Sequence, residues 1–365
     1  MQIDLKNPLL MLPGPVPLHE RVLNAMSRPM INHRGPEFAK ILNDCSSILK
    51  EIFKTQNDIL IISGSGTAGM EAAVSNVVKG DLVVTIVNGK FGERFEDIVN
   101  LYGTAISVKC EWGQPIDLNA VEAALKSHAT VITMVHNETS VGILNPAKEV
   151  GELARKYNAI FILDGVSSIG GNEVFTDEWG VDIAILGSQK CIAVPPGLSA
   201  VSVSKKAYNA MGATKPPYYL NLKEYQKSAV NGQTPFTPAV SLFFALHEAL
   251  NIAKECGIQE IIDRHEFYAT VVREFIKELG LELFPTLNEY SEYSNTVTAI
   301  KMPDGFSVQE LRAKMKEKGI LIVGGQAHLK NKIFRIGHMG NASSEEITIT
   351  LDALKQSLIE LGVNV

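Results

Sequence analysis

Ile59-Leu60-Ile61-Ile62-Ser63-Gly64-Ser65-Gly66-Thr67-Ala68-Gly69 is a short β-branched run that breaks into a glycine-rich turn. A helical pattern follows it, over Ala68–Val78. A strand, a glycine turn and a helix in that order mark the start of a βαβ unit. Glycines let a backbone approach a ligand closely, and the free N–H groups of a helix start favour an anion. The segment also satisfies G-x-G-x-x-G, so a dinucleotide site has to be weighed. That reading needs an acid at the end of the next strand to hold a ribose. The next apolar run, 82–87, ends instead in Asn88-Gly89-Lys90. A phosphate site without a dinucleotide is the better fit, with a plain tight turn as the bland alternative.

Working outward, apolar β-branched runs recur at 59–62, 82–87, 104–109, 130–135, 160–163, 182–186 and 198–203. Helical patterns lie between most of them, at Ala68–Val78, Arg94–Leu101, Leu118–Leu125 and Ala147–Tyr157. This alternation predicts an α/β fold with a seven-stranded, mostly parallel, buried sheet. After about residue 204 the rhythm gives way to Pro/Gly/Tyr-rich loops, then to a long helix from Ser241 to about Glu255. Another helix, strands near 296–301 and 332–336, and a helix from about Ser344 complete a smaller α+β unit. The expected division is an N-terminal segment 1–20, a large domain 21–250 and a small C-terminal domain 251–365.

Composition narrows the function classes. The 365 residues carry 34 Lys+Arg against 40 Asp+Glu, a net charge of −6, with 45% hydrophobic and 20% charged. The acidic balance speaks against a nucleic-acid binder held mainly by phosphate contacts. No apolar run approaches the roughly 18 residues of a membrane span, and the N-terminus lacks the pattern of a signal peptide. Cys45, Cys110, Cys191 and Cys256 stand more than 60 residues apart, and the eight histidines form no H-E-x-x-H helix. Neither a disulfide framework nor a local metal site is predicted. A reduced, cytoplasmic protein is.

In an open parallel sheet, ligands sit in the crevice at the carboxyl ends of the strands. The run ending at Leu163 gives onto Asp164-Gly165-Val166-Ser167-Ser168, and the run ending at Leu186 onto Gly187-Ser188-Gln189-Lys190. A lysine directly after a buried strand is desolvated, which lowers its pKa and makes it a usable nucleophile or base. Phe334-Arg335-Ile336-Gly337 places an arginine inside an apolar strand, where it suits a bidentate carboxylate clamp. Each feature alone has a plain alternative: a loop-capping Asp, a surface Lys, an ordinary ion pair. Together, a phosphate cradle, an acid 26 residues before a lysine and a carboxylate-binding arginine are what pyridoxal-phosphate chemistry requires.

At these residues the chain resembles the class V, fold type I pyridoxal-phosphate aminotransferases, the group of serine–pyruvate, alanine–glyoxylate and archaeal-type aspartate aminotransferases. The resemblance extends through Pro13-Gly14-Pro15-Val16, His33-Arg34-Gly35-Pro36-Glu37-Phe38, Asn88-Gly89-Lys90-Phe91, His136-Asn137-Glu138-Thr139-Ser140-Val141-Gly142 and Pro195-Pro196-Gly197. It implies that Lys190 is the Schiff-base lysine and proton shuttle, and that Asp164 pairs with the pyridine nitrogen. Val166 would pack on the ring and Phe91 stack on it, where many relatives have Trp or Tyr. Ser65, Gly66, Thr67 and Gln189 would bind the phosphate, with Thr67 standing where alanine–glyoxylate relatives have His. Thr139, with Asn137, would lie near the ring hydroxyl, and Arg335 and Gly14 would bind substrate. A homodimer is also implied, in which Thr237 or Thr234 reaches the neighbour's phosphate site. The substrates implied are small amino acids and 2-oxo acids. Alanine or serine with glyoxylate or pyruvate fits Arg335 alone; aspartate would need a second cation, for which Arg34 or Arg28 is the candidate. A desulfurase or lyase would need a thiolate on a mobile loop, and Val323-Gly324-Gly325-Gln326-Ala327-His328 has none. A nucleotide-binding or regulatory module is the remaining reading. His136, His247 and His265 read as packing groups, and His33 and His338 flank the proposed pocket.

Overall fold

The computed structural model describes residues 8–213 and 215–365. Residues 1–7 of the expected N-terminal segment lie outside them. The seven predicted strands form one sheet: β1 (Asp58–Ser63), β2 (Leu82–Val87), β3 (Thr104–Lys109), β4 (Val131–Val135), β5 (Ile160–Asp164), β6 (Ile183–Gly187) and β7 (Leu198–Val203). Their order across the sheet is β1-β7-β6-β5-β4-β2-β3. Strand β7 runs antiparallel to both its neighbours, while the other pairs are parallel. Strands β4, β5 and β6 are buried along their whole length, as expected of parallel strands covered on both faces.

Register sets the site. Val135 pairs with Asp164 and Asp164 with Ile185, so the carboxylate ends the middle strand. The loops after β1, β2, β4, β5 and β6 therefore open along one edge. Two helices begin there: α2 (Gly66–Val77), after β1, and α3 (Lys90–Tyr102), after β2. Both start earlier than the hydrophobic period predicts, because their first residues are fixed by the turn and carry little of the apolar stripe. Helix α2 lies close on the sheet because Gly69 has no side chain; a Cβ there would meet Ile185 at 2.7 Å.

One apolar core joins the inner face of the sheet to α1 (Pro36–Phe53) and α4 (Val240–Cys256), with Phe38 and Phe243 edge to face at 5.1 Å. A separate core unites α5 (Ile258–Glu278), α6 (Ser344–Glu360) and the strands β8 (Val297–Lys301) and β10 (Ile333–Gly337). Strand β9 (Val323–Gly324) completes that three-stranded sheet in the order β8-β10-β9. Helix α4 belongs to the first core and α5 to the second, and we propose that the division falls at Gly257 between them. Leu9 and Met11 pack in the second core, and Leu9–Leu10 pairs parallel with Ile320–Leu321. That part of the N-terminal segment is built into the C-terminal lobe. No helix among the described residues is long and apolar enough to cross a membrane.

Candidate active site

The strand-end loops converge on a cavity of about 120 Å³ lined by Ser65, Gly66, Thr67, Phe91, Asn137, Thr139, Asp164, Val166, Gln189 and Lys190. Every cofactor-site residue expected from sequence except Thr237 and its alternative Thr234 is brought together here. Met70, Arg94, Val135 and Ser167 line it as well.

Lys190 follows β6 and its ammonium donates to the carbonyl of Pro13. Burial is the largest effect on its amine and brings the pKa down to about 8; Asp164 and Cys191 oppose that shift, while Arg335 and Arg94 add to it. Gly14 sits over the lysine with φ +97°, a conformation natural to glycine, and a Cβ there would lie 2.7 Å from Lys190 Cδ. Gly14 thus shapes the lysine's channel.

Asp164 ends β5. One of its oxygens accepts the Val166 N–H at 2.8 Å. Burial raises its carboxyl to about 6, against that hydrogen bond and the nearby Arg94 and Lys190. Val166 is wedged between two glycines: a Cβ on Gly66 would meet it at 2.6 Å, and one on Gly187 at 2.9 Å. The Asp and the valine are held in one rigid loop.

Helix α2 starts at this cavity with no acid in its first turn and no side-chain cap from Ser65. Its first N–H groups are left for an anion. Two buried acceptors in the site, Gln189 Oε1 and Asn137 Oδ1, have no protein partner. Asn137 Nδ2 is engaged by the Ser167 carbonyl at 2.8 Å and Thr296 Oγ1 at 2.7 Å. Buried polar groups without partners are rare in folded proteins and mark places where a ligand completes the network. An open helix start, an acid and a desolvated lysine lining one cavity, an Asn137 oxygen able to accept from a ring hydroxyl and a Gln189 amide able to present its nitrogen to a phosphate fit pyridoxal phosphate.

Glu138 escaped the sequence reading of roles. It is fully buried, and its carboxylate accepts the N–H groups of Phe91 (2.9 Å) and Gly92 (3.0 Å) and both donors of Ser140. It closes the start of α3 and so fixes Phe91. Burial raises its pKa, and the hydrogen bonds oppose that. The signal available was Gly89, where any Cβ would strike the Glu138 side chain at 2.3 Å.

Arg335 stands on β10 in an adjoining cavity with Gly324, Gly325 and Gln326. Nε and Nη2 donate to the Gly324 carbonyl at 3.1 and 2.8 Å, and Nη1 to that of Thr139 at 2.9 Å. Burial lowers its pKa to about 10. Of the five N–H donors of a guanidinium, one on each Nη remains.

Other expectations fall elsewhere. Arg34 holds the 233–235 loop through Gln233 Oε1, Thr234 O and Pro235 O. Arg28 pairs with Glu37 and lies over Phe244. Neither lines the Lys190 cavity of its own chain. Thr234 is buried and donates to the Phe236 carbonyl, and Thr237 is exposed outside the cavity. The thiol of Cys191 is buried and pushed up to about 12, so it packs as a small hydrophobe. His136, His265 and His338 are buried and held neutral by desolvation. His338 bonds Thr298 in the core and lines neither cavity. The strand expected to supply a ribose acid ends in Asn88, whose amide is engaged by Gln114 O and Asn145 Oδ1.

Comparison with known proteins agrees with this geometry. The aminotransferase class-V family model matches residues 17–348. An aminotransferase of Methanocaldococcus jannaschii is 44% identical, over 100% of this chain and 96% of its own length. The alanine–glyoxylate aminotransferase of Drosophila melanogaster is 35% identical, covering 97% and 94%. The crystal structure of ureidoglycine–glyoxylate aminotransferase from Bacillus subtilis superposes with a TM-score of 0.91 at 31% identity, over 98% of this chain and 94% of that one. A fold, a lysine–aspartate pair and an open anion cradle therefore meet in one family: the chain belongs to the class V aminotransferases, transaminases of fold type I that work with pyridoxal phosphate.

Proposed function

We propose that this transaminase takes the amino group of alanine or serine and delivers it to glyoxylate or pyruvate, with Lys190 as its base. The observation that carries the choice of substrate is Arg335, whose two remaining donors form a clamp for one carboxylate. Arg28 and Arg34, the cations an aspartate side chain would need, are engaged elsewhere in the chain. Two of the three relatives compared above carry glyoxylate in their names, which supports it as acceptor.

When bound, pyridoxal phosphate supplies an aldehyde to carry the amino group and a ring that draws electrons from the substrate. The chain's residues supply the rest. Lys190, whose buried amine is brought down to about 8 and so is neutral in good part near that pH, would take the proton from the substrate Cα and pass it to the cofactor's aldehyde carbon across the shared nitrogen. Asp164 holds a proton on the ring nitrogen. Phe91 and Val166 fix the ring plane, and the start of α2 with Gln189 holds the phosphate. Arg335 orients the substrate so that its Cα–H faces the lysine. Thr139, whose carbonyl Arg335 grips, and Asn137 flank the ring hydroxyl.

The homodimer is part of this proposal. Thr234 is tied to its own loop, so Thr237 is the threonine free to reach a partner's phosphate site. We also place the reaction in the cytoplasm, a reading supported by four free thiols.

Initial rates with alanine, serine and aspartate against glyoxylate, pyruvate and 2-oxoglutarate test the proposal. Alanine or serine with glyoxylate is expected to lead; preference for aspartate with 2-oxoglutarate would overturn the substrate choice. Lys190→Ala is expected to lose the yellow colour of the bound cofactor and more than about a thousandfold in turnover, a base's usual share of two to four decades joined to the loss of covalent capture. A coloured, active variant would remove Lys190 from its role.

A further inference from the structure

One charged side chain of the Lys190 cavity has no place in the roles above. Arg94 enters from the first turns of α3, three residues after Phe91 and on the same helix face. Its guanidinium carbon lies 4.8 Å from the centroid of the Phe91 ring. Its Nη1 donates to Thr67 Oγ1 at 3.1 Å. Among the described residues these are its close contacts, and no carboxylate hydrogen-bonds to it.

Asp164 lines the same cavity and feels the Arg94 charge but does not hydrogen-bond to it, so a half-buried guanidinium facing the cavity still has donors that an anion there would complete. The direction of the Thr67 bond adds a second constraint. Because Thr67 Oγ1 accepts from Arg94, its own hydrogen is free to point at another acceptor. Thr67 is the second residue of α2, whose first-turn N–H groups face the same cavity. Lys190 is the other cation lining that cavity, and it is committed to the chemistry.

We propose that Arg94 is a phosphate-binding residue of the cofactor site. It supplies the permanent positive charge of the cradle and fixes the Thr67 hydroxyl as a donor toward the phosphate. Through Phe91 it also ties the ring-stacking wall to the phosphate wall. This inference rests on pyridoxal phosphate being the cofactor, and its test separates the two.

Cofactor-free wild type, R94K and R94Q are titrated with pyridoxal phosphate and with pyridoxal, which lacks the phosphate, following visible absorbance. R94Q is expected to weaken pyridoxal phosphate roughly 10- to 100-fold, the worth of a charge-assisted hydrogen bond. Pyridoxal binding should stay within about twofold of wild type, because the ring contacts remain, and R94K should recover part of the loss by keeping the charge. Equal losses for both ligands would overturn the proposal and reduce Arg94 to a support for Phe91. Unchanged pyridoxal phosphate affinity, with aspartate turnover falling relative to alanine, would overturn it in favour of a substrate contact. If R94Q does not fold, the ratio of the two affinities in R94K decides in the same way. A wild type that binds neither ligand would undo the cofactor assignment itself.

Discussion

Helices α2 and α3 both begin at the carboxyl edge of the central sheet, yet their first turns are treated in opposite ways. At α3 the N–H groups of Phe91 and Gly92 go to the buried carboxylate of Glu138, and that of Lys90 to Ser140 Oγ at 3.0 Å. At α2 no acid stands in the first turn and Ser65 makes no side-chain cap. One start is closed by the protein; the other is left for a ligand. The difference teaches that an unsatisfied helix end at a site is part of its function, since the same fold shows how readily it could have been capped.

Breaking the closed start should have the largest effect. Glu138→Ala strands two helix N–H groups, of which Gly92 is buried, and is expected to cost about 3 kcal/mol of stability. Urea unfolding measures it, and a loss below about 1 kcal/mol would mean that water replaces the carboxylate. Closing the open start is the converse experiment. Ser65→Asp places a favoured cap and a negative charge at α2, which is expected to leave the helix as stable or about 0.5 kcal/mol more so. Pyridoxal phosphate binding should fall at least tenfold; a variant that binds as tightly as wild type would show that α2 does not carry the phosphate. The smallest effect contrasts Glu138, held by four donors, with Asp164, held by one. Asp164 favours the charged form of Lys190, so Asp164→Asn should move the lysine's pKa below its value of about 8. The pH dependence of amine modification in cofactor-free protein reports this, and a rise would contradict the sign.

How much of this was legible depended on how local its cause was. The strands announced themselves as β-branched runs ending in glycine turns, and β5 and β6 pointed to Asp164 and Lys190 because strand ends in a parallel sheet open on the crevice. The whole Ser63–Gly69 turn could be read for the same reason. Arg94 could not, because on a helix face it looks like any surface arginine until the turn of α3 brings it onto Thr67. Glu138 depends on Gly89, 49 residues earlier, having no side chain. Arg34 looked free in sequence, and only the path of the 233–235 loop shows where its donors go.

The strand segment at Leu9–Leu10 leads within four residues to Gly14, and Gly337 of β10 donates to the Met11 carbonyl on the way. The carbonyl that accepts from Lys190 and the guanidinium proposed as the carboxylate clamp are thus mounted on the same piece of the molecule. Any shift of that piece relative to the central sheet would move both together, so that the hold on the amine and the proposed hold on the acid would loosen in step.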